Sequence, residues 1–516
     1  MQRCIPPDRE MQRILCDSEA DAGFSSPYAE IPRADDLHIL EFQANFAAIL
    51  KTHQMTQTKT PTELGTKPVG QLLMQYAIPA IIAMCVASMY NIIDSVYIGQ
   101  WMGPYAISGL ALTMPIMNLS AAFGTLVGMG SATLLSVKLG QKDFETARLI
   151  LGNNIIMNCI IGITYSLIML LFMTPVLYFF GASSNTLPYA RDYILIILIG
   201  NVISQSFFGQ NAICRAAGFP KQAMTAVIIS VILNIVLAPL FIYYLNWGME
   251  GAALATVLSQ AVALCRQLLL FSRKDRMLRY ERSIFRFDIK IVKNCMAIGL
   301  APFLMNLCAC VVVIIVNRSF YTYGGDLTVG AFGIVYRVLF VFIMIVMGIN
   351  QGMQPIAGYN YGAQQFDRVR KVLKLALVFA VCVTTTGFLV GEFLPQFIVR
   401  AFTQDAELIE LAKKGMRLMM IAFPIVGIQM VCTNFFFCIG LAKKSIFLSL
   451  TRQLLFVIPA LLILPPIFGT TGVWISFPCA DAVAAVVAVL MTLREMKRFR
   501  RRELALQTGS TNDNSN

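Results

Sequence analysis

The segment LGQKDFETAR at residues 139–148 recurs as YGAQQFDRVR at residues 361–370. Later, AAGFPKQA at 216–223 recurs as CIGLAKKS at 438–445. The offset between matched residues stays between 221 and 223 residues along the chain, which indicates an internal duplication. The matched residues include Gly140 and Gly362, Phe144 and Phe366, Arg148 and Arg370, Lys221 and Lys443, Gly251 and Gly472, and Pro79 and Pro302.

Apolar runs separated by short polar breaks fill the chain from residue 70 onward. A membrane span needs about 20 apolar residues. The runs predict helices near 71–99, 105–136, 146–180, 187–216, 221–245, 251–272, 290–322, 328–359, 369–401, 407–440, 444–465 and 470–493. The duplication assigns six spans to each half, and an even number gives both halves the same orientation. We therefore predict an all-α polytopic membrane protein with twelve transmembrane helices in two pseudo-symmetric six-helix lobes, arranged as a parallel repeat.

The composition excludes a soluble protein and weakens several enzyme classes. Charged residues make up 13% of the 516 residues, whereas a soluble domain carries about a quarter. Both histidines, His38 and His53, precede the first apolar run, so the predicted membrane body has no imidazole for a metal centre or a catalytic pair. Most of the thirteen cysteines lie singly in apolar runs, as small hydrophobic residues do. We expect no enzyme activity and no cofactor.

Basic residues cluster in every second break between the predicted spans. The breaks after spans 2, 4, 6, 8 and 10 carry Lys138, Lys142, Arg148, Arg215, Lys221, Arg273, Lys274, Arg276, Arg279, Arg282, Arg286, Arg368, Arg370, Lys371, Lys374, Lys443 and Lys444. The positive-inside rule then places both termini and these breaks in the cytoplasm and predicts a multi-pass membrane protein. Since these charges lie beside the lipid bilayer, the net charge of +13 does not indicate a nucleic-acid partner.

The chain is predicted to have four parts. Residues 1–60 are polar and read either as a disordered extension or as a stretch that precedes a true start at Met55. Residues 61–285 form the N-lobe and residues 286–495 the C-lobe. Residues 496–516 form a basic and polar cytoplasmic tail.

Asp94, in MYNIIDSVYIG late in the first span, is the main candidate for function. An ionised carboxylate at mid-membrane costs about 2.5–3.5 kcal/mol even on insertion scales. Low-dielectric surroundings favour the neutral acid, so Asp94 can take up and release a proton. Pro79 lies fifteen residues earlier and predicts a hinge in the same helix. The alternative is a carboxylate near the outer end that simply reaches water.

Other polar residues fall inside predicted spans. Asn234 and Thr256 can complete a proton or cation site with Asp94, or can serve helix packing. The repeat counterpart of Asp94 is Asn317, so the acid belongs to the N-terminal half alone. Candidates for the substrate cavity are Asn211, Arg337 and Gln354. Arg337, Arg452 and Asp481 also fall within apolar runs, and each of them can either belong to a structural ion pair or extend to the membrane surface.

Several segments together resemble one transporter family. They are YNIIDSVYIGQ at 90–100, NIVLAPLFI at 234–242, GAALATVLSQ at 251–260, GINQGMQPIAGYNYGA at 348–363 and TRQLLFVIPALLILP at 451–465. This combination resembles the multidrug and toxic compound extrusion (MATE) family, and within it the DinF branch with the MepA-type multidrug exporters. The resemblance covers residues 66–495. It implies two lobes forming a V around a central cavity, and export of cationic, aromatic drugs in exchange for H⁺ or Na⁺. The family's span-1 acid falls on Asp94, its hinge proline on Pro79, its span-5 asparagine on Asn234 and its span-6 threonine on Thr256.

The chain departs from the family pattern at Ala238. Members commonly read NIxLDP in span 5, whereas this chain reads Asn-Ile-Val-Leu-Ala-Pro at 234–239. A sodium site built from two acids would lose one charge and one oxygen ligand here. We therefore favour proton coupling through Asp94, with Na⁺ at Asp94, Asn234 and Thr256 as the alternative.

These observations predict a monomeric multidrug antiporter that works by alternating access and confers antibiotic resistance. An alternative is a flippase for a lipid-linked saccharide from the same wider superfamily. Such a flippase would carry several arginines in its cavity for a pyrophosphate, and only Arg337 and Arg452 qualify. A membrane-embedded enzyme is disfavoured, since the spans contain neither a histidine nor a GxSxG motif.

Overall fold

The computed structural model describes residues 63–273 and 277–507. The predicted extension at 1–60 and the last part of the predicted tail lie outside the described residues. Helices make up nearly all of the described chain, as the apolar runs predict. In lipid a helix satisfies its own backbone hydrogen bonds, which explains why long apolar segments fold in this way.

Ten continuous helices in the described chain are long and apolar enough to cross a membrane, and two bent pairs bring the number of spans to twelve. We number them α1 (Val69–Met102), α2 (Tyr105–Gly140), α3 (Phe144–Leu171), α4 (Leu187–Ile199 with Asn201–Ala216), α5 (Pro220–Tyr244), α6 (Gly248–Ser272), α7 (Ile289–Gly325), α8 (Leu327–Gly362), α9 (Phe366–Phe393), α10 (Ala406–Met420 with Phe423–Cys438), α11 (Ala442–Phe468) and α12 (Thr470–Leu504). Short helices lie at Glu63–Thr66, Met173–Phe179, Arg282–Ile284 and Pro395–Arg400. The prediction of twelve spans is confirmed.

The prediction of continuous helices for spans 4 and 10 is wrong. α4 bends by 57° and α10 by 51°. At the bend of α4, a Cβ atom on Gly200 would lie 2.5 Å from both methyl carbons of Val257, so α6 packs closely against this point. In α10 the second helix begins at Phe423 with Pro424 in its first turn, where the missing N–H costs nothing. The two bends lie at corresponding places in the repeat.

Spans 3 and 9 are shorter than the predicted 146–180 and 369–401. α3 ends at Leu171 and α9 at Phe393, and each is followed by a separate short helix. Pro395 begins the second of these short helices. Proline cannot donate a backbone hydrogen bond and restricts the residue before it, so the longer helix stops there.

The buried core shows how the two lobes join. We call the end of the bundle that carries the α2–α3, α4–α5, α6–α7, α8–α9 and α10–α11 connections the basic end, and the opposite end the neutral end. One core cluster, with Tyr193, lies within α1–α6, and a second, with Phe320, lies within α7–α12. A third cluster, with Leu135 and Met353, takes residues from both lobes near the basic end. The lobes therefore share a core at the basic end and have separate cores toward the neutral end.

Glycines bring the two lobes into backbone contact near the basic end. A Cβ atom added to Gly130 in α2 would overlap the carbonyl oxygen of Cys295 in α7. Likewise, a Cβ atom on Gly299 in α7 would overlap the carbonyl oxygen of Leu126 in α2. Small residues allow helices in a membrane to pack this closely. In the same way, a Cβ atom on Gly140 in α2 would overlap the carbonyl oxygen of Tyr359 in α8, and one on Gly362 in α8 would overlap the carbonyl oxygen of Val137 in α2.

Replacing Gly299 with alanine should destabilise the protein. The added methyl group would force α2 and α7 apart, and overpacking of this kind costs about 1–3 kcal/mol. The midpoint of thermal unfolding of the purified protein in detergent should fall by several degrees. Gly333→Ala is the matched control, because a Cβ atom at Gly333 in α8 meets no atom within 4 Å. Equal midpoints for the two variants would contradict the proposed backbone contact.

Candidate ion-coupling and substrate site

Asp94 is buried in the half of α1 that lies toward the neutral end. It is 5% exposed, and its Oδ1 atom has no hydrogen-bond partner in the described chain. A buried carboxylate without a partner is costly when it is ionised, so it favours binding a proton or a cation. The alternative reading, in which Asp94 simply reaches water, does not fit this burial.

Asn234 in α5 and Thr256 in α6 meet directly. Nδ2 of Asn234 donates a hydrogen bond to Oγ1 of Thr256 at 3.1 Å, and Oγ1 of Thr256 donates to the carbonyl oxygen of Ala252 at 3.2 Å. Both side chains are less than 5% exposed. The pair holds α5 and α6 together within the N-lobe.

α1 packs against α5, which places Asp94 in the same lobe as this polar pair. Oδ1 of Asp94 takes no part in the Asn234–Thr256 hydrogen bond. Beyond Asp94 toward the neutral end, Tyr97 stacks on Trp101 with ring centroids 5.0 Å apart. The ring of Trp101 in turn lies beside the ring of Tyr243 in α5, with their centroids 5.9 Å apart. An aromatic wall therefore follows the buried acid along α1.

Pro79 lies inside α1, which runs as one helix from Val69 to Met102. α8 supports this part of α1: a Cβ atom on Gly352 would lie 2.6 Å from the amide nitrogen of Ala77, and one on Gly348 would lie 2.9 Å from the amide nitrogen of Ile81. The proline segment thus lies between two points of backbone contact with the other lobe. Any bend at Pro79 must change the contact with α8.

The three residues predicted for the substrate cavity have different surroundings. Asn211 donates to the carbonyl oxygen of Ala223 at 2.8 Å and accepts a hydrogen bond from Arg215, so its amide joins α4 to α5. Gln354 donates to Oγ1 of Thr133 at 2.9 Å and joins α8 to α2 across the lobes. Arg337 is exposed on α8. The structure does not bring these three side chains together.

Arg452 and Asp481 form an ion pair in the C-lobe. Nε of Arg452 in α11 lies 2.6 Å from Oδ1 of Asp481 in α12. The side chain of Asp481 is 7% exposed and that of Arg452 is 25% exposed. Sequence reasoning named both residues but did not pair them. The signal was their place in adjacent spans of one half, with opposite charges inside apolar runs.

No group of three or more His, Cys, Asp or Glu side chains able to hold a metal ion occurs among the residues that the structure describes. All eleven cysteines in that part of the chain are free thiols. Asp94 with Asn234 and Thr256 offers one carboxylate, one amide and one hydroxyl group. This set suits a proton, or weakly an alkali cation, better than a transition metal.

A family model described as MatE matches the chain twice, over residues 79–240 and 297–462. The chain belongs to the MATE family. The two matches fall in the two halves of the sequence repeat and confirm the family resemblance. MATE proteins are transport proteins, and this member is a multi-pass membrane protein.

Curated relatives agree with this membership. The chain is 29% identical over 427 residues to the multidrug export protein MepA of Staphylococcus haemolyticus, a match that covers 82% of this chain and 93% of the relative. It is 25% identical to the MepA protein of Staphylococcus aureus, with the same coverage of both chains. Both relatives are named for multidrug export.

Solved MATE structures share the fold. A MATE protein in a bent conformation superposes with a TM-score of 0.82 at 23% identity, covering 86% of this chain and 99% of the other. A multidrug resistance MATE transporter in an outward-facing conformation superposes with a TM-score of 0.80 at 24% identity, covering 86% and 100%. This likeness confirms the twelve-helix, two-lobe architecture.

The ion pair yields a stability prediction. Arg452→Gln removes the cation and leaves Asp481 buried without its partner, a loss that typically costs about 3–5 kcal/mol. The double variant Arg452→Gln/Asp481→Asn replaces the pair with two neutral amide side chains, leaves no buried charge unpaired, and should be much closer to the native protein. Thermal unfolding in detergent measures both variants. A double variant that is less stable than Arg452→Gln would contradict the pairing.

Proposed function

We propose that this protein is a multidrug efflux antiporter that exports cationic, amphipathic, aromatic compounds in exchange for protons. The observation that carries the proposal is the buried carboxyl group of Asp94, whose Oδ1 atom has no described partner. Such a group binds a proton or a cation at low cost and releases it when its surroundings change. The MepA relatives, named multidrug export proteins, support the substrate class.

The aromatic wall near Asp94 supports the same class of substrate. Tyr97, Trp101 and Tyr243 present rings that can stack on a planar drug and attract its positive charge. A cationic drug and a proton then compete for one negative site. Competition of this kind is the simplest physical basis for exchange, because occupation by one ligand displaces the other.

We favour the proton as the coupling ion. Ala238 is fully buried, where many family members carry a second acid. Without that carboxylate, a sodium ion would have Asp94 as its only anionic ligand in this group of residues, and hard cations prefer several oxygen ligands. A proton needs only one carboxylate oxygen. The alternative is Na⁺ held by Asp94, Asn234 and Thr256.

The proposed exchange cycle depends on the core that the two lobes share at the basic end. In the described conformation the lobes share a core at the basic end, which corresponds to an outward-facing state if that end is cytoplasmic. Protonation of Asp94 removes its charge, α1 bends near Pro79, and drug leaves the N-lobe. Opening at the basic end then releases the proton and admits new drug. A monovalent charge that crosses 100 mV contributes roughly 2.3 kcal/mol to this cycle.

The positive-inside rule supports the orientation in this proposal. Both termini and the basic end would face the cytoplasm of a bacterial cell, in its cytoplasmic membrane. The protein would act as a monomer, because each chain contains both lobes. The expected consequence for the cell is resistance to antibiotics and biocides.

A lipid-linked saccharide flippase is the second candidate. A pyrophosphate headgroup requires several free cationic side chains, since arginine binds phosphate oxygens in pairs. Only two arginines in the spans are candidates for such a headgroup, Arg337 and Arg452. Asp481 offsets the charge of Arg452, so the two arginines together supply less net positive charge than a pyrophosphate requires. The charge pattern therefore favours drug export.

Asp94→Asn should abolish export. The amide keeps the size of the side chain and loses its capacity to bind a proton, so drug and proton no longer exchange. The measurement is ethidium efflux and drug resistance in a host that lacks its own pumps, with membrane content checked by immunoblot. Asp192→Asn is the matched control, because Asp192 is an exposed acid of the same lobe and should be dispensable. Full efflux by Asp94→Asn at normal expression would overturn the proposal.

Ala238→Asp tests the coupling ion. Position 238 lies one helical turn from Asn234, so a new carboxylate there would restore the second acid of the common family pattern. Drug transport into proteoliposomes should gain a dependence on sodium that the native protein lacks. Asn234→Ala in the same background should remove the gained dependence. Sodium-driven transport by the native protein would show that proton coupling is wrong.

A further inference from the structure

The Arg452–Asp481 ion pair occupies the C-lobe counterpart of the N-lobe polar site, displaced by one helical turn. At the repeat offset, Asn234 corresponds to Phe456 and Thr256 to Phe477. Arg452 precedes Phe456 by four residues and Asp481 follows Phe477 by four. Because α11 and α12 run in opposite directions, both displacements point toward the basic end. The C-lobe thus places a charged pair where the N-lobe has Ser230 and Gln260.

The accessible member of this pair is the arginine. Asp481 is almost fully buried, whereas Arg452 is a quarter exposed. Nε of Arg452 makes the hydrogen bond to Asp481, and neither Nη nitrogen donates a hydrogen bond elsewhere in the described chain. The guanidinium group has five N–H donors in a planar fork. Its outer edge therefore keeps donors for another partner.

Arg452 faces the interior of the C-lobe. Leu454 and Leu455 on the same helix are 44% and 59% exposed, as expected for residues that face lipid. Nε of Arg452 bonds to the buried carboxylate of Asp481 in α12, so the guanidinium group points toward α12. This part of α11, Thr451–Val457, is a π-helix, a distortion that is frequent at functional sites.

Aromatic rings of α8 lie at the depth of the ion pair. Phe332 of α8 stacks on Phe477 of α12 with ring centroids 6.5 Å apart, and both helices run from the neutral end toward the basic end. Tyr336 follows Phe332 by four residues and Asp481 follows Phe477 by four, so Tyr336 lies about one helical turn along, as Asp481 does. Tyr336 and Phe340 stack with ring centroids 6.0 Å apart, and they are 41% and 36% exposed. The ring centroid of Phe332 lies 5.7 Å from that of Tyr336, and the ring of Phe332 also stacks on Phe477, so these aromatic rings form a row. A row of partly exposed aromatic rings therefore lies at the depth of a guanidinium group whose Nη nitrogens have no described partner.

We propose that the C-lobe contains a second ligand site, which binds the carboxylate group of an aromatic compound through Arg452 while Tyr336 and Phe340 stack on its ring. The ligand carboxylate accepts hydrogen bonds from the Nη nitrogens of Arg452 in a side-on, two-point contact. Asp481 holds the guanidinium group through Nε and fixes its orientation. Asp481 is thus a positioning residue and Arg452 the binding residue.

The two lobes then differ in the charge that they recognise. The N-lobe offers the acid of Asp94 and suits a positive group, whereas the C-lobe offers a partly exposed arginine and suits a negative group. A zwitterionic aromatic drug carries both groups. This inference rests on the proposed export function only for its role in transport, because binding at the C-lobe site can be measured without transport.

The test compares two ligands of equal shape. Naphthoate carries a carboxylate and naphthamide a neutral amide on the same ring system. Binding of each to the full-length protein in lipid nanodiscs is followed by naphthyl fluorescence anisotropy. We expect the native protein to bind naphthoate at least about tenfold more tightly than naphthamide, since hydrogen bonds to charged groups are the stronger ones. Equal affinities would overturn the proposal.

Two double variants test whether Arg452 and Asp481 cause the preference for naphthoate. In Arg452→Gln/Asp481→Asn the preference for naphthoate should vanish, while naphthamide still binds and reports an intact aromatic surface. Lys444→Gln/Glu495→Gln is the matched control, because it removes another ion pair between α11 and α12 and should keep the preference. A preference that survives in the first double variant, or vanishes in the second, would contradict the site.

Asp94→Asn separates this inference from the export proposal. The variant should lose efflux and keep the preference for naphthoate, since Asp94 belongs to the other lobe. If Asp94→Asn exports normally while Arg452 still selects naphthoate, the export mechanism is wrong and the C-lobe site stands. If Asp94→Asn loses the preference, the C-lobe site is wrong, because the selectivity then belongs to the N-lobe.

Discussion

Backbone contact between the lobes at glycines is the constraint on which the rest of the structure depends. At Gly130 and Gly299 the helices α2 and α7 approach so closely that no Cβ atom fits between them. In lipid, where apolar side chains gain little by meeting one another, such close packing supplies much of the attraction between helices. Because these contacts lie toward the basic end, the lobes are held there and keep separate cores toward the other end. The neutral end is therefore the end at which the two lobes can separate.

The same joint connects ion binding to movement. α1 carries Asp94 toward the neutral end and Pro79 at the level of the joint, where Gly348 and Gly352 of α8 contact its backbone. A change of charge at Asp94 and a bend at Pro79 therefore act on one helix, and that helix touches both lobes. In the C-lobe the Arg452–Asp481 ion pair lies one helical turn nearer the basic end than the counterparts of Asn234 and Thr256, and it joins opposite charges. The asymmetry of the lobes is thus an asymmetry of buried charge.

Much of the architecture was predictable, because a membrane imposes simple rules. Apolar length gave twelve spans, and the repeat gave two halves of six. The bends in α4 and α10 were missed because the residues around Gly200 and Ala422 are as apolar as an unbroken span. A bend of that kind depends on what packs beside it, such as Val257 against Gly200, and not on local polarity.

By itself, the sequence determined that the protein crosses a membrane, that its two halves repeat, and that Asp94 is an acid inside an apolar helix. The hydrocarbon core of a membrane excludes charge so strongly that a charged residue inside an apolar segment can be recognised from the sequence alone. Only the tertiary structure decided which polar groups meet. It joined Asn234 to Thr256, gave Gln354 a partner in the other lobe, and paired Arg452 with Asp481. Those pairings depend on how helices distant in sequence pack together, and no local pattern of residues records that contact.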